Sequence, residues 1–120
     1  MNSLFSIHWV LISALWYFVN GVLHDIFVII NHKGKYDREL LRLLMDGHVL
    51  ILSGIIVFVC YLMLLNKIPY GGLISIIVAV FMLIYCAMIF PFLKSVVTIL
   101  ISCSLIAVSL KLMSDLPRIW

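Results

Sequence analysis

An all-α, four-transmembrane-helix bundle with up-down antiparallel topology is the fold this sequence predicts. Three observations carry that reading. Hydrophobic residues make up 66% of the 120 residues and charged residues 11%, where soluble domains carry about 25% charged residues. Mean hydropathy is +1.29. The apolar residues also gather into four stretches with little sequence between them, each close to the roughly 20 residues that a transmembrane helix needs. A soluble chain of this length leaves much of its surface in water and has nowhere to hide so much apolar area. The solvent is therefore lipid, and residues 1–120 read as a single transmembrane domain.

The first span runs over about 7–30. No Lys or Arg precedes its apolar run, and the run is long for the core of a signal peptide, so it reads as a retained first helix. Residues 31–39, NHKGKYDRE, are the polar loop. Asp37 at its end is a helix N-cap by residue type, starting a helix near Arg38. That helix carries Arg38 and Arg42 at the headgroup level and becomes the second span, over about 43–65. Lys33, Lys35, Arg38 and Arg42 are the expected headgroup contacts. The stretch Asn66-Lys67-Ile68-Pro69-Tyr70-Gly71-Gly72 reads as a turn from its Pro and Gly content. The third span covers about 73–90. Pro91, Lys94 and Ser95 mark a short connection, and the fourth span covers about 96–113. Pro117, Arg118 and Trp120 in the tail suit an interfacial anchor.

Short connections force consecutive spans to be antiparallel neighbours. Small residues one turn apart offer contacts in lipid: Ser75 with Ala79, Thr98 with Ser102, and Cys103 with Ala107. Ser95, Thr98, Ser102 and Ser109 share one face of the fourth span, which reads as a helix contact. Cys60, Cys86 and Cys103 are odd in number, lie in apolar stretches and form no C-x-x-C, so they read as buried packing residues. Lys33, Lys35, Arg38, Arg42 and Lys94 on one side outnumber Lys67, Lys111 and Arg118 on the other. That bias puts the polar loop inside and both termini outside, in what the compact layout suggests is a bacterial inner membrane. The net charge of +3 without a long basic run points to the lipid bilayer as partner and not to nucleic acid. A homo-oligomer or a larger membrane complex is also compatible with so small a chain.

Polar residues inside spans are costly and therefore informative. Ser6, Ser13, Tyr17, Asn20, His24 and Asn31 fall within an arc of roughly 60° on the first span at about 100° per residue. This interior stripe, centred on Tyr17, Asn20 and His24, suits either interhelical hydrogen bonds or a polar path. His24-Asp25 on the first span and Asp46-Gly47-His48 on the second form the candidate proton or ligand site. His24 and His48 lie at similar depth on neighbouring antiparallel helices. Asp46 and His48 point about 160° apart, and Asp25 lies about 100° off the stripe, so Asp46 is the expected cross-helix partner of His24.

Three chemistries fit these residue types. Imidazole with carboxylate suits a metal such as zinc or iron, with His24, His48 and Asp46 as candidate ligands. Two imidazoles on facing helices suit haem, although no attachment motif is present. An Asp-His pair suits proton exchange, since imidazole titrates near neutrality. The plainer alternative pairs Asp25 and Asp46 with Lys33, Lys35, Arg38 or Arg42 near the headgroups. No G-x-S-x-G or phosphate-binding loop is present, and the reading favours a non-enzymatic protein that binds or conducts a small polar species or proton, or supports a membrane complex. A metal- or haem-binding redox subunit is the alternative, and no cofactor is fixed by the sequence. Size and span number resemble small multidrug transporters, but their membrane-embedded glutamate has no counterpart, since Glu39 in the loop is the one Glu. The layout also resembles DoxX-like small bacterial membrane proteins in span number and hydropathy, without a shared motif.

Overall fold

A computed structural model describes residues 2–89 and 96–115, with side chains described for 5–88 and 96–114. Four helices follow one another: α1 (Asn2–Asn31), α2 (Arg38–Leu65), α3 (Tyr70–Ile89) and α4 (Val96–Asp115). All four are long and apolar enough to cross a membrane. Among the described residues there is no strand. Each helix touches its two neighbours in the cyclic order α1, α2, α3, α4, while the diagonal pairs stay apart. The bundle measures 54 × 25 × 25 Å, against a hydrocarbon thickness of about 30 Å. Its outer surface is apolar, with Phe27, Phe81, Leu100 and Met88 all largely exposed.

The polar loop ends as its residue types dictate. Asp37 is extended and accepts a hydrogen bond from the Leu40 amide at 2.9 Å, capping α2. Helix α1 runs from Asn2 to Asn31.

The second connection departs from the turn reading. The chain stops α2 with Lys67 in the left-handed region at φ 60°. The Lys67 amide donates to the Leu64 carbonyl at 3.0 Å and the Ile68 amide to the Met63 carbonyl at 2.9 Å, satisfying carbonyls at the helix end. Gly71 and Gly72 lie within α3, not in the turn. Their role is close approach: a Cβ on Gly71 would sit 2.8 Å from the Cys60 carbonyl, and one on Gly72 would sit 2.5 Å from the Met113 side chain. Helix α3 thus begins at Tyr70. The connection at Pro91, Lys94 and Ser95 and the anchor at Pro117, Arg118 and Trp120 lie outside the described residues.

Three of the seams differ in chemistry. The α1–α2 seam is the most extensive and is built on glycine. A Cβ on Gly54 would meet the Phe18 amide nitrogen at 2.7 Å and the Ala14 carbonyl at 2.8 Å, and one on Gly21 would meet the Gly47 carbonyl at 2.6 Å. Gly47 and Gly54 are one heptad apart, as are Ala14 and Gly21, so the small residues face each other in register. The α1–α4 seam is a polar ladder instead. The Trp9 indole donates to the Ser104 hydroxyl at 2.9 Å, the Trp16 indole to Thr98 at 3.2 Å, and the Tyr17 and Ser102 hydroxyls are hydrogen-bonded. Between α2 and α3, the Ser53 hydroxyl meets the Met82 sulfur at 3.4 Å.

Ser75 and Ala79 are buried, as are Thr98, Ser102 and Ser109. Cys103 and Ala107 are exposed, so this pair faces outward and the reading of Cys103 as buried is corrected. Cys60 and Cys86 are buried, and none of the three cysteines is in a disulfide.

Candidate functional site

The loop-proximal halves of α1 and α2 carry the ionisable groups, and Gly47 arranges them. Without a side chain at 47, the Asp25 carboxylate fits directly against the α2 backbone. A Cβ there would lie 1.9 Å from Asp25 Oδ1 and 2.9 Å from the Gly21 carbonyl. In this notch Asp25 Oδ2 stands 3.0 Å from His48 Nδ1. The carboxylate is 13% exposed and the imidazole 71%. Asp25 Oδ1 is buried and has no hydrogen-bond partner among the described residues.

The surroundings of His48 fix its tautomer. Nδ1 also lies 2.7 Å from the Leu44 carbonyl. Both neighbours of Nδ1 are acceptors, so Nδ1 carries the hydrogen, which it donates to the Leu44 carbonyl. Nε2 is left on the open edge of an exposed ring.

His24 is placed differently. Its Nε2 lies 3.1 Å from the Leu43 carbonyl, so Nε2 is the donor there. Asp46 lies on the α2 face that includes the buried Ser53 and Cys60. Its neighbour is the Tyr85 hydroxyl of α3, which is buried without reaching hydrogen-bonding geometry. The face of His48 includes Leu52, Ile55 and Val59, all exposed. Inward and outward groups on α2 are thus Asp46 and His48 respectively.

These placements revise the expected partnerships. His24 pairs with a backbone carbonyl and not with Asp46. Asp25, about 100° off the stripe, reaches across the seam to His48 and not to a loop cation. His24 and His48 serve opposite sides of the α1–α2 seam, because Leu43 and His48 are five residues, or about 140°, apart on α2. The two imidazoles thus have different partners, the Leu43 carbonyl for His24 and Asp25 for His48. Among the described residues, no three His, Cys, Asp or Glu side chains converge as metal ligands. The His24, His48 and Asp46 metal set thus has no geometric support.

Along the interior stripe, Ser6, Ser13 and Tyr17 are buried. Ser13 donates to the Trp9 carbonyl at 3.0 Å, and the Asn20 amide reaches Thr98 at 3.5 Å. Asn31 turns out to be exposed and bonds back to the Phe27 carbonyl at 2.8 Å. In the loop, His32 bonds the Lys35 carbonyl at 3.1 Å and stands 3.6 Å from Asp37. Lys33, Lys35, Arg38 and Arg42 are all exposed at this end.

The sequence reading missed two participants. Tyr85 sits in an apolar run with no periodic polar neighbour to mark it. Gly47 was legible in principle, since it and Gly54 share a heptad position and Gly47 stands between two ionisable residues. Compared with models of protein families, with curated proteins and with solved structures, the chain matches none of them. What the site does therefore rests on its own geometry.

Proposed function

We propose that this small integral membrane protein takes up and releases a proton at the Asp25–His48 pair, as a non-enzymatic membrane component. The carrying observation is the 3.0 Å contact between Asp25 Oδ2 and His48 Nδ1 within helices suited to a membrane. A carboxylate in such surroundings is expensive without a partner, and His48 supplies one. With Asp25 ionised, the pair carries one negative charge when His48 is neutral and none when Nε2 is protonated. The exposed edge of the ring gives the proton access from the loop side. His24, Asn20 and the Asp46–Tyr85 neighbours extend polar groups from that level into the bundle. The charge bias supports a cytoplasmic polar loop and outside termini in a bacterial inner membrane. The basic loop residues Lys33, Lys35, Arg38 and Arg42 suit contact with headgroup phosphates.

Proton passage is measured in liposomes loaded with a pH-sensitive dye after an external acid pulse. Wild-type protein should acidify the lumen faster than protein-free vesicles. Asp25→Asn and His48→Ala, inserted and folded to the same extent, should fall to the protein-free rate. Wild-type vesicles no more permeable than empty ones would remove this reading.

A further inference from the structure

The outer side of the α1–α2 seam has a second feature. An open groove, lined by Ala14, Leu15, Phe18, Gly54, Ile55 and Phe58, runs along it without polar lining. Its floor is where the backbones touch, at Ala14 and Gly54. Its walls are the exposed Leu15, Phe18, Ile55 and Phe58. Phe58 stacks on Tyr61 with centroids 6.0 Å apart, which holds one wall in place.

Heptad spacing aligns this groove with the ionisable pair. Asp25 follows Phe18 by seven residues, and His48 precedes Ile55 by seven. On both helices the pair therefore lies about 10 Å from the groove, on the same side of the seam and toward the polar loop. Asp25 is in turn about 9 Å from the end of α1. In the first turns of α2 and the loop stand the exposed Lys33, Lys35, Arg38 and Arg42.

From this alignment we infer that the outer α1–α2 seam holds one phospholipid, its phosphate at His48 Nε2 and an acyl chain in the groove. The phosphate suits the cationic end of the bundle, and the Nε2 edge is the one left open by the Leu44 and Asp25 contacts at Nδ1. A protonated Nε2 donates a charge-assisted hydrogen bond to a phosphate oxygen. The groove offers an acyl chain aromatic and aliphatic walls and no polar group. A second copy of this chain fits less well. The described residues of α3 include no carboxylate, so that face brings no anion to His48. Free phosphate makes no use of the groove.

The inference goes beyond proton uptake and separates from it. Ile55→Trp fills the groove and leaves Asp25 and His48 in place. Asp25→Asn alters the pair and leaves the groove and His48. Lipid loss in the first and flux loss in the second are therefore independent readouts.

Native mass spectrometry in mild detergent tests the site with added phosphatidylglycerol, with diacylglycerol of the same chains, and with inorganic phosphate. Wild-type protein should retain one phosphatidylglycerol and neither of the others. His48→Ala should weaken retention about tenfold, as expected for losing one charge-assisted hydrogen bond. Ile55→Trp should abolish it, whereas Leu100→Trp, on the exposed face of α4, should retain it. Ile55 and Leu100 are both exposed, so neither substitution disturbs the bundle interior; matching helical content by circular dichroism checks this. No adduct on wild-type protein, unchanged retention by Ile55→Trp or His48→Ala, or equal retention of diacylglycerol would each overturn the inference.

Discussion

At the scale of single residues, Gly47 controls the site more directly than any ionisable group. Its missing Cβ is the space that Asp25 Oδ1 occupies. Gly47→Ala forces either the carboxylate or the helix to move, and overpacking of this kind costs about 1–3 kcal/mol. We expect a lower midpoint of thermal unfolding in detergent, together with loss of the Asp25–His48 contact seen as a changed His48 ring signal by NMR. An alanine variant with unchanged midpoint and unchanged ring signal would contradict the close packing. His48 shows why exposure and function are compatible here. Its ring is open on one edge and held by the Leu44 carbonyl and Asp25 on the other, so its tautomer is fixed while Nε2 stays accessible.

At the scale of elements, the junction between α2 and α3 stores a small strain. Lys67 occupies the left-handed region at φ 60°, which costs a residue with a side chain roughly 1–2 kcal/mol and glycine little. Lys67→Gly should therefore stabilise the chain by up to about 1 kcal/mol, the gain offset by the greater freedom of glycine in the unfolded state. A thermal midpoint below wild type would count against the assigned backbone geometry. The neighbouring Gly71 and Gly72 rest on a different argument, since a Cβ on either would crowd α2 or α4. Composition drew the turn too wide because glycine marks both chain reversal and close helix contact. Only the contacts separate the two roles.

At the scale of the whole molecule, the two seams of α1 are closed by different chemistries. Glycine packing joins α1 to α2, whereas hydroxyl and indole hydrogen bonds join α1 to α4. Tyr17 and Ser102 are both fully buried, so their bond has no competing water. Interhelical bonds in membranes average about 0.6 kcal/mol by double-mutant cycles. A cycle of Tyr17→Phe and Ser102→Ala, read by unfolding in mixed detergent, should give a coupling of that order. A coupling indistinguishable from zero would mean that the ladder does not hold α4 against α1.

The four helices, the Asp37 cap and the inward face of Tyr17 were legible because they depend on local quantities: hydropathy over a span, residue type at a helix start, and a repeat of about 100° per residue. Spacing alone likewise separated Asp46 from His48. Partner choice was not legible in the same way. Whether Asp25 reaches His48, whether His24 meets Asp46 or the Leu43 carbonyl, and whether Cys103 turns inward all depend on how far one helix is rotated against the next. That rotation is set by where backbones approach most closely, at Gly21, Gly47 and Gly54, a property of two helices together. The sequence alone determined a four-helix apolar chain with its two histidine–aspartate pairs on either side of the polar loop. The tertiary structure decided that Asp25 and His48 form the pair, because the notch at Gly47 lets the carboxylate cross the seam.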